Sequence, residues 1–306
     1  MAPLNKAQDL FNVNGLVAVI TGGGSGLGLY AARALDANGA KAVYIVGRRQ
    51  ATLDAAVKTG VNGSIKAIIG DVSNKDDLLR IASQIRSEVG YINLLFANAG
   101  ISGPPAASLL PQSGPPASIA DFQRLLLDSS MEDFTQTLHV NNTAVYYTAL
   151  AFLDLLDAGN KKRNVPQDSQ ILVTTSIAGL SRHLASSFAY STSKAAANHL
   201  VKMLSTHFSQ SGYHIRANVV APGLYPSEMT EKATGSMEKF QGVEGHEDAF
   251  AGAHVMAKEK SPAERTGSEE DFAGVVLFMC SRAGAYLNGE VMVTDGGRIG
   301  VHPGTY

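Results

Sequence analysis

Cysteine is almost absent from this chain of 306 residues. Cys280 stands alone, which excludes an internal disulfide framework and points to a reducing compartment. Its neighbours, VVLFMCS, are apolar and place the thiol on a packed helix face rather than at a reactive site. Charge is sparse: 17% of residues are Asp, Glu, Lys or Arg, the net charge is -2, and no long basic cluster occurs, which argues against nucleic-acid binding. The short KKR at Lys161 to Arg163 lies in a polar stretch and reads as a solvated loop. No apolar run reaches the ~18 residues needed to cross a bilayer. The N-terminal MAPLNKAQDLFNVNG has no apolar core of a secretion signal, so a soluble, cytoplasmic protein is expected. His246 and His254 have no third ligand at useful spacing, and no metal site is expected. With 45% hydrophobic residues, the chain is long enough to bury one substantial core.

What is present is a repeated alternation of short apolar runs and amphipathic stretches. Leu16 to Ile20, LVAVI, reads as a strand; TGGGSGLG follows, then LYAARALDANG fits a helix ended by glycine. Gly22, Gly26 and Gly28 stand in a G-x-x-x-G-x-G spacing, where missing side chains let the backbone approach a pyrophosphate at a helix N-terminus. A glycine turn without ligand is the alternative. A second strand, AVYIV, leads into Gly47, Arg48 and Arg49. An acid at this point would accept ribose hydroxyls, whereas arginine suits a 2′-phosphate, so NADP(H) is favoured over NAD(H).

The run SIKAIIGDV reads as a third strand, and Asp71 beyond it either accepts from an adenine amine or caps the helix that starts near Lys75. KDDLLRIASQIRSE carries a helical stripe, and INLLFANAG gives a fourth strand ending in Asn98 and Gly100. This order predicts an α/β fold, a doubly wound parallel β-sheet (Rossmann fold) with helices on both faces and its ligand beyond the carboxyl ends of the strands.

Further along, TTSIAGLSRHLASSFAYSTSK places Ser176 at the end of the apolar run ILVTTS and Lys194 four residues after Tyr190. On a helix, that spacing stacks the two side chains on one face. A phenol that works near neutrality needs its anion stabilised by a close cation, at roughly 4 kcal/mol for three pKa units.

TGGGSGLG, NAG, the serine strand end and Tyr-x-x-x-Lys, in this order, resemble the short-chain dehydrogenase/reductase family over nearly the whole chain. The resemblance implies a single NAD(P)-binding Rossmann domain over 1–306 and a tetrad of Asn141, Ser176, Tyr190 and Lys194, with Asn142 an adjacent competitor for the first role. It also implies cofactor contacts from Gly22, Ser25, Gly26, Leu27, Gly28, Arg48, Arg49, Asp71, Val72, Asn98, Ala99, Gly100, Tyr190, Lys194, Pro222, Gly223, Leu224 and Ser227. In that family's pattern Ser227, usually threonine, meets the carboxamide, and Asn141 anchors a water that links Lys194 to solvent. Thirteen residues separate Ser176 from Tyr190, one more than is usual, and the extra residue is expected near Arg182 to Ser187, in the wall facing the substrate.

The stretch 101–130 is a proline-rich excursion or a pocket rim, with a short helix at FQRLLL. Met131 to Leu156 reads as one long helix, apolar on much of its circumference, which implies a homodimer or homotetramer by resemblance. DAGNKKRNVPQDSQ is expected to be a solvent-exposed insertion, 224–262 a substrate lid, and Ser268 with Asp271 a capping box. The tail RIGVHPGTY either folds back or crosses to a partner.

Leu180, His183, Leu184, Phe188 and Tyr225 are expected near an apolar carbonyl or alcohol substrate. PGLYPSEMT resembles fungal reductases, many of which tailor secondary metabolites. The expected activity is NADPH-dependent ketone reduction or its reverse. The alternative is a non-redox descendant that serves as a cyclase template or a cofactor-sensing module.

Overall fold

The computed structural model describes residues 5–105, 115–184 and 186–305. After a one-turn helix α1 (Ala7–Leu10), the chain alternates β1 (Val17–Thr21), α2 (Gly26–Ala37), β2 (Ala42–Gly47), α3 (Gln50–Val57), β3 (Ile65–Ile69), α4 (Lys75–Glu88) and β4 (Leu94–Ala97). The second half adds α5 (Ile119–Leu127), α6 (Met131–Leu138), α7 (Ala144–Ala151), α8 (Leu153–Lys162), β5 (Ser169–Thr174), α9 (Phe188–Gln210), β6 (Ile215–Pro222), α10 (Glu231–Thr234), α11 (Glu269–Cys280) and β7 (Val291–Thr294). All seven strands are parallel, in the order β3-β2-β1-β4-β5-β6-β7.

Each central strand is a near-continuous apolar run because helices cover both faces. One core packs Ile81, Ile85, Phe152, Leu155, Val201 and Phe208 against the sheet; the other packs Ala31, Leu35, Leu53, Phe272, Val276 and Met279 against its opposite face. Strand order reverses between β1 and β4, and a crevice opens there beyond the carboxyl ends.

Four expectations need correction. Asn74, not Asp71, caps α4: its side chain accepts from the amides of Asp76 (2.8 Å) and Asp77 (3.2 Å). Asp71 instead accepts from the Ser73 amide and hydroxyl, a local turn that competes with capping. The long helix expected over 131–156 is interrupted by a π-type turn at His139–Thr143 and breaks again at Phe152. The apolar pattern runs on through the break at Phe152, because Val145, Ala149, Leu155 and Leu156 on both sides of it pack into one core against the sheet. The insertion expected to be exposed begins as the end of α8, and its asparagines are ties: Asn160 accepts from the Ser169 amide (2.7 Å), and Asn164 donates to the Gly15 carbonyl (2.8 Å). Likewise KKR is not a loop: Lys161 and Lys162 form the last turn of α8, where cations oppose the helix dipole.

The capping box of Ser268 and Asp271 forms as expected, and Asp271 is further held by Arg265 at 2.6 Å. Part of the 101–130 excursion, 106–114, lies outside the described residues; α5 covers FQRLLL. Over 224–262 the chain is largely irregular, with α10 and isolated bridges such as Lys239 with His254. The Cys280 thiol is buried, which pushes its pKa up to about 12, as fits a packed rather than a reactive cysteine.

Candidate active site

A cavity of about 690 Å³ lies beyond the carboxyl ends of the strands. Of the residues expected at the cofactor, all but Gly28 and Leu224 line it, and so do Ser176, Tyr190 and Lys194 of the tetrad. Gly28 sits behind the glycine turn, where a Cβ would meet the Gly22 carbonyl oxygen at 2.3 Å and Asn98 Nδ2 at 2.6 Å. Leu224 turns its carbonyl to the Gly267 amide (2.9 Å). Gly22 takes a left-handed φ of +64°, and its missing Cβ would stand 2.9 Å from Ala99 Cα. These close approaches leave a bare-backbone cradle at the N-terminus of α2, the chemistry a pyrophosphate requires. The residues present therefore fit a dinucleotide.

The cradle is braced by a residue that sequence reading passed over. Thr21 Oγ1 accepts from the amides of Asn98 (3.0 Å) and Ala99 (3.1 Å), joining the ends of β1 and β4. Asn98 returns bonds to the carbonyls of Thr21 and Gly22 and accepts from the Thr174 hydroxyl at 2.9 Å. Its polar atoms thus hold three strand ends in register.

Ser187 was also missed. Its hydroxyl caps α9 by accepting from the Tyr190 amide (3.0 Å) and donates to the Ser102 carbonyl (3.1 Å), which fixes where Tyr190 enters the cavity. The Ser176 hydroxyl accepts from the Ala178 amide (3.1 Å) and lines the cavity together with Tyr190. Lys194, 4% exposed, donates to the Thr174 carbonyl at 3.0 Å. Burial pulls its pKa down to about 8. Burial pushes the Tyr190 phenol up, and what pulls it back is Ser176 rather than the ammonium, which lies 5.6 Å from the ring centre.

Asn141 is buried within the π-type turn and does not line the cavity. Its side chain accepts from the Ile101 amide (2.9 Å) and donates to the Ile101 carbonyl (2.9 Å) and Ser193 hydroxyl (3.0 Å). Asn141 Oδ1 and Lys194 Nζ both crowd the position where a Cβ on Gly100 would stand, at 3.0 and 3.3 Å, so the three residues converge. The neighbour Asn142 has a buried side-chain oxygen without a partner.

The two arginines after β2 stand at the cavity's other end. Arg48 lies 3.8 Å from Asp71, and Arg49 pairs with Glu228 at 2.6 Å. Ser227 lines the cavity, with its hydroxyl 3.0 Å from that of Thr230. Tyr225 is a core residue whose hydroxyl meets Thr294 Oγ1 at 2.6 Å, although it also reaches the cavity wall. Leu180, His183, Leu184 and Phe188 are not among the lining residues.

The loop between Ser176 and Tyr190 leans on the C-terminal tail instead. The Arg182 amide donates to Pro303 (2.6 Å), the Thr305 amide to Leu180 (2.7 Å), and His183 stacks on His302 at 4.7 Å. The tail thus folds back on its own chain. Of the stretch where the extra residue was expected, Ala185 lies outside the described residues. Among the described residues no cluster of metal ligands occurs, and no helix is long and apolar enough to cross a membrane.

The family model for short chain dehydrogenases matches residues 16–238. The short-chain dehydrogenase/reductase PhomF of Diaporthe leptostromiformis is 46% identical over 100% of this chain and 99% of its own length. The short-chain dehydrogenase/reductase VdtF of Byssochlamys spectabilis is 36% identical, covering 98% of each chain. Among solved structures, the RhlG/NADP active-site complex of Pseudomonas aeruginosa superposes with a TM-score of 0.73 at 28% identity, covering 94% of this chain and 98% of that one.

Proposed function

Because this chain belongs to the short-chain dehydrogenase/reductase family, we propose that it reduces a ketone to a secondary alcohol with NADPH, or runs the reverse oxidation. The observation that carries the reading is a single cavity that holds Ser176, Tyr190 and Lys194 together with Arg48 and Arg49. The glycine cradle and NAG turn between them would hold the dinucleotide, and the arginines would meet its 2′-phosphate. The NADP complex of the RhlG neighbour supports that preference.

When bound, the nicotinamide supplies or accepts the hydride. Ser176, in the same cavity as the phenol, would donate a hydrogen bond to the substrate carbonyl oxygen. Tyr190 would deliver its proton to that oxygen, acting as general acid in reduction and, once ionised, as base in oxidation. Lys194 stands close enough to stabilise the phenolate by charge and to donate to ribose hydroxyls. Asn141 would fix the loop after β4 and anchor a water serving Lys194.

The cavity wall offers Ile101, Val140 and Met229, which supports an apolar substrate. The resemblance of PGLYPSEMT to fungal reductases supports a tailoring role in secondary metabolism. Exposed Tyr146, Tyr147, Leu150 and Met203 on α7 and α9 support a homodimer or homotetramer, and we place the chain in the cytoplasm as one domain with 224–262 as its lid.

NADPH absorbance on a panel of apolar ketones tests the reading. Wild type should oxidise NADPH with at least one ketone, and Tyr190→Phe should abolish turnover while leaving cofactor binding largely intact. Full turnover by that variant would overturn the mechanism. Tight NADPH binding with no oxidation of any ketone would instead favour a cofactor-sensing module.

A further inference from the structure

The end of β2 carries Arg48 and Arg49 with no acid beside them in sequence, yet the fold brings one in. Glu228, in the segment after β6 and 179 residues from Arg49, reaches across the cavity so that its Oε2 lies 2.6 Å from Arg49 Nη2. Both residues line the cavity, and both side chains are more than half exposed, so the pair bridges its mouth rather than sealing a core. On the other side, Asp71 lies 3.8 Å from Arg48. The two guanidinium groups that would meet a phosphate are thus already matched, charge for charge, by two carboxylates.

We propose that Glu228 is a specificity-determining residue that competes with the cofactor's 2′-phosphate for Arg49 and so tempers the preference for NADP(H) over NAD(H). The inference rests on the cofactor reading above and adds to it an acid that the local sequence does not contain. A phosphate arriving at Arg49 must displace the carboxylate or share the guanidinium with it, and a second anion beside it is repelled. A nucleotide without the 2′-phosphate meets neither cost. Glu228 is also better placed for this role than Asp71, whose Oδ1 is engaged by Ser73 and whose Oδ2 is farther from its arginine.

The test uses the full chain and two probes, adenosine 2′,5′-bisphosphate and AMP, with affinities measured by calorimetry. Glu228→Gln keeps the size and hydrogen-bonding capacity of the side chain and removes the charge. We expect it to tighten the bisphosphate about two- to fivefold, the range of an exposed ion pair, and to leave AMP unchanged. In an Arg49→Gln background the same substitution should have no effect on the ratio of the two affinities.

If Glu228→Gln weakens both probes together, Glu228 is a clasp and the proposal fails. A gain that persists without Arg49 also overturns it, since the effect would then be general charge. A wild-type preference for the bisphosphate that Glu228→Gln leaves unaltered sinks the proposal but keeps the NADP(H) reading. Equal binding of both probes by wild type and by Glu228→Gln removes the arginines' phosphate role and the proposal with it.

Discussion

The ammonium of Lys194 lies 5.6 Å from the centre of the Tyr190 ring while donating its hydrogen bond to the Thr174 carbonyl at 3.0 Å. Proximity without a direct bond leaves the lysine both electrostatically useful and thermodynamically costly.

That cost is measurable. Burial lowers Lys194 from 10.5 to about 8, so between those values the unfolded chain holds a proton that the folded chain has lost, and stability rises with pH through that window. Below about pH 8 both states are charged, and burial costs the fold about 3 kcal/mol. Lys194→Met should abolish turnover yet raise the melting temperature at pH 7 by roughly 3 to 6 °C, allowing for the lost bond to Thr174. A fall in melting temperature would show that more than one carbonyl compensates the ammonium.

Asn141→Ala leaves the Ile101 amide and carbonyl and the Ser193 hydroxyl without their partner. A loss of about 1–3 kcal/mol is expected, read from the urea midpoint. Asn141→Asp should rescue only part of it, because a carboxylate accepts from the Ile101 amide but has no N–H for the carbonyl.

Gly28→Ala drives a methyl group toward the Gly22 carbonyl oxygen and the Asn98 amide, both backbone-braced. It should cost about 1–3 kcal/mol by overpacking and weaken NADPH binding in a fluorescence titration, since the displaced atoms form the cradle. Unaltered binding would mean that α2 shifts as a unit without disturbing the turn.

Removing residues 302–306 deletes the His302 stack and the bonds to Leu180 and Arg182. The loop they steady joins Ser176 to Tyr190, so the KM for an accepted ketone should rise about five- to tenfold, the worth of one or two net hydrogen bonds. The NADPH dissociation constant should hold, because none of the described residues 302–305 lines the cavity. Parallel weakening of both would place the tail's role in overall stability.

Strands, their parallel order and the glycine cradle were legible from period and turn chemistry, because a strand covered on both faces must be apolar throughout and a turn against a phosphate must lack side chains. Tyr190, Lys194 and Ser176 were legible because helical spacing and a strand end set their positions. The single helix expected over 131–156 was misread in extent, since the π-type turn and the break at Phe152 leave no mark on the apolar pattern of its second half. Thr21 carried no local signal, since it accepts from amides that the end of β4 brings to it, whereas Ser187 carried one, a serine at the N-cap of α9, and only its bond to the Ser102 carbonyl was hidden from the local sequence. Leu180, His183, Leu184 and Phe188 do not line the cavity, and the bonds of Leu180 and Arg182 to the C-terminal tail, distant in sequence, could not be read from the loop itself.

By itself, then, the sequence determined what depends on neighbours along the chain: the alternation of strand and helix, the bare turn at Gly22 to Gly28, the four-residue step from Tyr190 to Lys194, and the pair of arginines after β2. Only the tertiary structure decided how those groups are charged and held. Burial, not spacing, brings Lys194 down to about 8 and pushes Tyr190 up, and chain crossing, not composition, sets Glu228 against Arg49. Desolvation and ion pairing depend on distance in space, and residues 179 positions apart meet only once the sheet has formed.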